Sequence, residues 1–369
     1  MSLEGARFLV SGVVLGQPMG GVRRHNAELL PRVARILAER GAELSVLEGT
    51  TPIAFDLPDE VVRIPCDVPA GPPLTRATAE GRVVRAELEA ASASGRPYSL
   101  VHTAHLPAPR NLDTPLTLTL HDVRRLDKSL STRLQITVAR FTLQRALNSA
   151  ARIFCVTEAV RGELMHYFGL PSDRIRILPN AADHFTPLPR STDHASGLLH
   201  IGHLEPRKNL ELLLRALALD PELPSVTLAG AAKGDETERL QALARELDIT
   251  ERVHFLGPVA EERIPELLAN AACVVMPSRV EGFGIGALEA QRAGVPLAIS
   301  NITALREVAG ERTPHFPPDD PAACAQAIRV ALTADPSTIE AARTQAERYS
   351  WDASAATWVA AWEELIPHA

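Results

Sequence analysis

Two glutamates, Glu281 and Glu289, flank a glycine-rich turn that precedes a predicted helix over residues 287–292. The turn consists of Gly282, Phe283, Gly284, Ile285 and Gly286. Glycine lets the backbone approach an anion closely, and the free N–H groups of a helix start favour a diphosphate. Carboxylates beside it can accept hydrogen bonds from sugar and ribose hydroxyls. A tight strand-to-helix turn with two solvated glutamates is the alternative interpretation.

Lysine is rare in this chain and occurs only at Lys128, Lys208 and Lys233, whereas arginine is abundant. Arg207 and Lys208 lie in the stretch GHLEPRKN, directly after the predicted strand LLHIG. A compact ammonium reaches bridging positions that a planar guanidinium does not. The rare lysine at this position marks the pair as a candidate for a specific role, with a solvated helix start as the alternative.

His121 and Asp122 follow the predicted strand LTLTL, where side chains emerge at the edge of a sheet. We expect His121 to be an active-site group that bonds a sugar or manages a proton. A buried structural histidine is the alternative, and His102 and His105 are second-rank candidates.

A glycine pair, Gly20 and Gly21, with Arg24 beside it, lies in the first strand-to-helix turn. Backbone N–H groups there could face a ligand opposite the diphosphate, although helix capping alone also explains such a pair.

Apolar runs alternate with helix-period stretches throughout the chain, which predicts parallel sheets in two doubly wound α/β domains. Strands are expected at 8–15, 43–47, 99–102, 116–120 and 152–156, and then at the runs LLHIG, VTLAG, VHFLG, CVVMPS and PLAIS. The segment from Pro179 to Gly197 has neither helical nor strand periodicity, so we expect it to be the linker between the two domains. We therefore expect an N-terminal domain over 1–184, a C-terminal domain over 185–351, and a last helix, 352–369, that packs back on the first domain.

Composition excludes several classes of protein. With 46% hydrophobic and 22% charged residues, the chain is typical of globular proteins, and no apolar run is long enough to cross a bilayer. No signal peptide is expected at the start. The four cysteines are dispersed, so we expect neither disulfides nor a zinc site, which fits a protein of the reducing cytoplasm. An acidic C-terminal half argues against nucleic-acid binding.

From Arg124 to Arg152 the chain carries seven basic residues and one acid, interleaved with Leu, Ile, Val and Phe. Such a segment could lie peripherally on an anionic membrane, which would suit a lipid-linked acceptor. A surface helix with solvated arginines is equally compatible with the pattern.

These motifs together resemble the retaining GT-B glycosyltransferases of family four, whose hallmark is two glutamates separated by seven residues, here EGFGIGALE. Further similar stretches are GGVRRH, HD, VTEAVRGEL, ILPNAAD, FLGPV, REVAG and YSWDASA. The resemblance implies two Rossmann-like domains that face each other across a cleft, with the donor site in the C-terminal domain.

The resemblance also implies roles for individual residues. Glu289 would bind the ribose, Glu281 the transferred sugar, and Arg207 with Lys208 the diphosphate. The backbone of Gly284 to Gly286 would cradle the distal phosphate. Gly257 and Pro258, in FLGPV, would lie against the base. Ile285-Gly286, Ala181 and His203 depart from the common pattern, which leaves the sugar preference open.

The expected activity is transfer of a hexose from a nucleoside-diphosphate sugar to the hydroxyl of a glycan, lipid-linked or small-molecule acceptor in surface polysaccharide or glycoconjugate synthesis. GDP-mannose is the first donor candidate and a UDP-hexose the second. Because the chain lacks an Asp-x-Asp motif, we expect no metal and no other cofactor. A sugar-nucleotide epimerase, a phosphorylase and a non-catalytic nucleotide-binding module are the rival interpretations.

Overall fold

The computed structural model describes residues 3–17, 20–69, 71, 73–106, 108–109, 112–127, 130–189 and 195–366. The chain divides into two compact units, the first formed by Met1–Asn180 with Trp351–Ala369 and the second by Ala181–Ser350. Lys128 of the basic segment and residues 190–194 of the expected linker lie outside the described residues.

Unit 1 is built on a parallel seven-stranded sheet in the order β3-β2-β1-β4-β5-β6-β7. Its strands are β1 Arg7–Ser11, β2 Glu43–Glu48, β3 Val61–Pro65, β4 Leu100–Thr103, β5 Leu116–Leu120, β6 Arg152–Cys155 and β7 Ile175–Ile177. The central strands β1, β4, β5 and β6 are almost entirely buried, as expected for a sheet covered on both faces. The strand order reverses between β1 and β4, the position at which doubly wound sheets bind ligands.

Four helices of unit 1 connect these strands: α1 Gly21–Glu39, α2 Pro73–Ala93, α3 Arg133–Ser149 and α4 Glu158–Phe168. Helix α1 starts at Gly21 because Gly20, at φ 54°, turns the chain into it. Helix α3 begins with a capping box in which Thr132 and Gln135 bond each other's backbone.

Unit 2 contains a parallel six-stranded sheet in the order β10-β9-β8-β11-β12-β13. Its strands are β8 Leu198–Ile201, β9 Val226–Ala229, β10 Val253–Gly257, β11 Cys273–Met276, β12 Leu297–Ser300 and β13 His315–Phe316. Its helices are α5 Leu210–Leu219, α6 Glu236–Glu246, α7 Ile264–Asn270, α8 Ile285–Arg292, α9 Thr303–Ala309, α10 Pro321–Leu332 and α11 Pro336–Glu347. Leucines of α5 and alanines of α10 join the core beneath this sheet.

The last helix, α12 Trp351–Glu363, belongs to unit 1 and packs against α1. Three tryptophans, Trp351, Trp358 and Trp362, are fully buried. The ring of Trp362 stacks on Phe8 at 4.9 Å, and its Nε1 donates to Thr117 Oγ1 at 3.1 Å. Aromatic burial of this size is the main contribution of α12 to the core of unit 1.

The expected fold class is confirmed, because both units are doubly wound parallel-sheet domains. The first strand is shorter than predicted: it ends at Ser11, and a turn closed by Leu15 N–H and Gly12 C=O follows it. The division between the units falls after Asn180, so the first two residues of the expected linker belong to unit 1 and the residues from Ala181 onwards to unit 2.

Within the residues that the structure describes, no helix is both long and apolar enough to span a bilayer. None of the four cysteines, all of which the structure describes, forms a disulfide.

Candidate functional site

The carboxyl edge of the unit 2 sheet is held together by close backbone contacts between glycines. Gly230, after β9, adopts φ 154°, and a Cβ there would lie 1.9 Å from the carbonyl oxygen of Gly202. Gly230 also donates its N–H to the Gly257 carbonyl at 2.8 Å. A side chain at position 230 would therefore separate the ends of β8, β9 and β10, and the site is built beside these ends.

The turn that carries Arg207 and Lys208 is fixed by the asparagine that follows it. Asn209 has a left-handed backbone, φ 54°, and its amide donates to the carbonyls of Pro277 and Pro318 at 3.1 and 2.8 Å. The N–H of Arg279 donates to the Arg207 carbonyl at 2.8 Å. These bonds hold the turn against the segment that leads to Glu281.

Glu281 forms the centre of a buried ionic cluster. Its carboxylate accepts hydrogen bonds from Lys208 Nζ at 2.5 Å, Arg207 Nη1 at 2.7 Å and Ser278 Oγ at 2.8 Å. Glu205 extends the cluster through ion pairs with Arg207 at 2.7 Å and Lys233 at 2.9 Å. The structure thus brings the adjacent pair Arg207 and Lys208 against Glu281, which lies more than seventy positions further along the chain.

The charges in this cluster strongly affect one another. Burial raises the pKa of the Glu281 carboxyl, but the Lys208 ammonium and the Arg207 guanidinium outweigh that effect and hold it well below its ordinary range. Burial lowers the pKa of Lys208, and Glu281 partly restores it. Arg207 and Lys208 both bond the Glu281 carboxylate, so two basic side chains lie side by side where they could attract an anion.

The glycine turn between the two glutamates ends in a positive-φ glycine at the start of α8. Gly284, at φ 90°, directly precedes α8, and a Cβ there would lie 2.5 Å from Leu305 Cδ2. Among the described residues no side chain caps α8, and the Ala287 N–H bonds the Gly284 carbonyl at 2.9 Å. The other N–H groups of a helix start can act as donors for a ligand. Gly282 lies in this turn, and Ile285 and Gly286 are the first two residues of α8.

Phe283, which we expected in the donor site, contributes packing. Its side chain is buried and its ring meets Tyr349 edge to face at 5.6 Å. It anchors the turn, and only its backbone is available to a ligand.

The second glutamate, Glu289, lies on α8 and is separate from the ionic cluster. Its Oε1 is 3.1 Å from His184 Nε2, and both side chains are buried. His184 comes from the segment that we expected to be a linker.

Gly257 and Pro258 lie at the end of β10, beside the edge that Gly230 joins. Gly257 has φ 68°, and Pro258 is exposed.

In unit 1, His121 follows β5 and meets a second histidine. Its ring packs edge to face on His25 at 4.8 Å, and His25 Nδ1 is 2.8 Å from Asn180 Oδ1. The motifs GGVRRH, HD and ILPNAAD therefore converge on one point. Gly20 and Gly21 open the helix that carries His25, whereas Arg24 pairs with Glu28 at 3.2 Å.

His121 also lines a cavity of about 250 Å³, together with His105, Asp122 and Arg124. Burial, followed by the fields of His25, His105, His102 and Arg124, lowers the pKa of His121 well below its ordinary value. The imidazole is therefore neutral at physiological pH. Among the described residues its buried Nε2 has no hydrogen-bond partner, so it can bond a ligand group.

Sequence reasoning missed several residues of these sites: Ser278, Glu205, His184, His25 and His200. Glu205 lies within the motif LEPRKN and Ser278 directly follows β11, so their positions carried a signal. His200 was marked only by being polar in an apolar strand; it bonds the Val275 carbonyl at 3.0 Å, and burial with the nearby Lys208 charge lowers its pKa to about 4.

Two family models match the two units. The model described as Glycosyltransferase Family 4 matches residues 19–184, and the model described as Glycosyl transferases group 1 matches residues 192–349.

Two curated relatives and one solved structure illustrate the similarity. The O-antigen chain mannosyltransferase B of Escherichia coli is 32% identical over 57% of this chain and 60% of its own length. The D-inositol 3-phosphate glycosyltransferase of Geodermatophilus obscurus is 30% identical over 72% of this chain and 62% of its own length. The chain thus spans about three fifths of these relatives. Sucrose-phosphate synthase from Thermosynechococcus elongatus superposes with a TM-score of 0.80 at 19% identity, covering 98% of this chain and 99% of that one. The chain therefore combines a Family 4 glycosyltransferase domain with a group 1 glycosyltransferase domain on the GT-B fold.

Proposed function

We propose that the chain is a retaining, metal-independent glycosyltransferase that moves a hexose from a nucleoside-diphosphate sugar to an acceptor hydroxyl. The bond between the sugar's anomeric carbon and the diphosphate oxygen breaks, a bond from that carbon to the acceptor oxygen forms, and the hydroxyl proton is released. The observation that carries the proposal is the buried cluster of Arg207, Lys208 and Glu281 beside the uncapped start of α8.

The cluster fits the electrostatic demand of this reaction. Negative charge grows on the leaving diphosphate, and preorganised cations in a buried site stabilise such charge strongly. Arg207 and Lys208 are already held in place by Glu281 and by the Asn209 contacts. We infer that an arriving diphosphate takes over part of the hydrogen bonding that these two cations give to Glu281. The Glu281 carboxylate can then accept hydrogen bonds from the transferred sugar. Glu289 would bind the ribose hydroxyls.

For the donor, GDP-mannose is the first candidate, supported by similarity to an O-antigen chain mannosyltransferase, and a UDP-hexose is the second. The acceptor is a hydroxyl of a glycan, a lipid-linked sugar or a small molecule in polysaccharide or glycoconjugate synthesis.

A thermal-shift panel of nucleotides and nucleotide sugars identifies the donor, because a ligand at 100 times its dissociation constant stabilises the fold by about 2.7 kcal/mol. Product analysis then separates the rivals. An epimerase changes the donor sugar without an acceptor, a phosphorylase consumes phosphate, and a binding module holds nucleotide without turnover. Any of these three outcomes contradicts the proposal.

Turnover should survive an excess of EDTA, because two cations and a helix start occupy the role that a divalent metal plays at an Asp-x-Asp motif. Initial rates of sugar transfer with and without chelator measure this. Activity that disappears in EDTA and returns with magnesium or manganese would show that the metal-independent account is wrong.

His121→Ala should lower kcat by roughly tenfold while donor affinity stays almost unchanged, since a neutral imidazole offers one hydrogen bond to the reacting groups. Steady-state kinetics and nucleotide titration test the two halves of this expectation. Thermal unfolding is the control: a variant that loses activity only because it unfolds would make His121 a structural residue.

A further inference from the structure

Helix α3 has an apolar stripe on its outer face in addition to its buried face. Ala139, Leu143, Ala146 and Leu147 pack into unit 1. Leu134, Val138 and Phe141 are 74%, 55% and 61% exposed. Their spacing of four and three residues puts them on one side of the helix. We call these three residues the α3 stripe.

The α3 stripe is unusual for this protein. Ten large hydrophobic side chains are exposed among the described residues, and three of them form this stripe on one helix. Single exposed leucines are ordinary, whereas a contiguous apolar strip indicates an interaction surface.

The charge around the stripe indicates what covers it. Helix α3 contains Arg133, Arg140 and Arg145 and no acidic residue. The guanidinium of Arg145 lies over the Phe141 ring at 5.2 Å, at the end of the stripe. Arg124 and Arg125 precede the helix. Apolar side chains with an arginine fringe match the interface of an anionic bilayer, where the side chains enter the acyl boundary and the arginines meet headgroups.

A second copy of the chain fits this surface less well. Symmetric pairing of two α3 stripes would bring the arginines of one copy against those of the other, and like charges there oppose association.

We propose that the α3 stripe and its arginine fringe dock the protein on an anionic lipid surface. The cavity that contains His121 is lined on one side by Thr142, Leu143 and Ala146 of the same helix. Docking through α3 would therefore hold that cavity close to the membrane. The inference does not depend on the proposed reaction, because lipid binding is measured without any donor.

The test is sedimentation of the full chain with vesicles of phosphatidylcholine alone and with vesicles containing about one third phosphatidylglycerol. Wild-type protein should sediment with the anionic vesicles only, and less so as salt is raised. Val138→Ser combined with Phe141→Ser should weaken partitioning by roughly tenfold or more, because two large apolar side chains no longer enter the interface. Leu219→Ser, an isolated leucine of unit 2 that is 63% exposed, is the matched control and should bind like wild type.

A second variant, Arg133→Glu with Arg145→Glu, keeps the α3 stripe but reverses the charge at two of the arginines beside it. This variant should also lose binding to anionic vesicles. Thermal unfolding confirms that the variants fold. The proposal is overturned if wild-type protein ignores anionic vesicles, or if the stripe variants bind them as wild type does. It is equally overturned if light scattering shows a dimer that requires the stripe while vesicles are not bound.

Discussion

Replacing Lys208 or Arg207 with alanine should lower kcat/KM by roughly 10²-fold or more, a typical cost of removing a group that stabilises transition-state charge. The side chain of Lys208 is buried, that of Arg207 is 15% exposed, and both contact Glu281 directly, so their positions are set before a ligand arrives. Removing either leaves the diphosphate with one cation fewer in a site where water cannot screen the loss. Steady-state kinetics with the donor found in the nucleotide panel measures the effect.

Lys233→Ala is the matched control. Lys233 also pairs with Glu205, at 2.9 Å, but its side chain is half-exposed and does not contact Glu281. Its loss should change kcat/KM by less than about threefold, since exposed ion pairs contribute little. If the Lys208 and Arg207 variants also change kcat/KM by less than about threefold, neither residue belongs to the active site.

The two glutamates should respond differently to substitution. Glu289→Ala should weaken the intact donor and the free nucleoside diphosphate alike, by about 1.5–3 kcal/mol, because both ligands contain the ribose. Glu281→Gln should not weaken the free nucleotide, since its carboxylate competes with the diphosphate for Arg207 and Lys208. Loss of the Glu281 carboxylate should instead lower turnover and alter the selectivity for the donor sugar.

Calorimetry with both ligands on both variants makes the comparison, with glutamine chosen at 281 so that the two buried cations keep a polar neighbour. If both variants lose equal affinity for nucleoside diphosphate, the division of roles between Glu281 and Glu289 is wrong.

Much of this arrangement was predictable from the sequence because it depends on local patterns. The apolar runs at 198–201, 226–229 and 273–276 became strands of one parallel sheet, and the polar motifs follow their ends. The short strands β3, β7 and β13 were missed. Strand β3 is largely exposed, and β7 and β13 have three and two residues, so none carries a strong apolar run.

Contacts between distant segments could not be predicted in the same way. Glu281 was assigned to the sugar and Arg207 with Lys208 to the diphosphate, with nothing in the spacing to show that the three side chains bond one another. The contact between His184 and Glu289, and that between His25 and His121, likewise depend on how helices pack on the sheets. Contacts of this kind depend on packing in three dimensions and leave no periodic pattern in the sequence.

The most direct test of the central claim, that Lys208 and Arg207 hold the donor diphosphate, is the gain in affinity from the second phosphate. Calorimetry would compare guanosine and uridine diphosphates, each with its monophosphate, on wild-type protein and on Lys208→Met. For the nucleoside of its own donor, wild-type protein should bind the diphosphate about tenfold or more tightly than the monophosphate. The Met variant should lose most of that preference while binding the monophosphate as before. A preference for the diphosphate that is the same in both proteins would contradict the account.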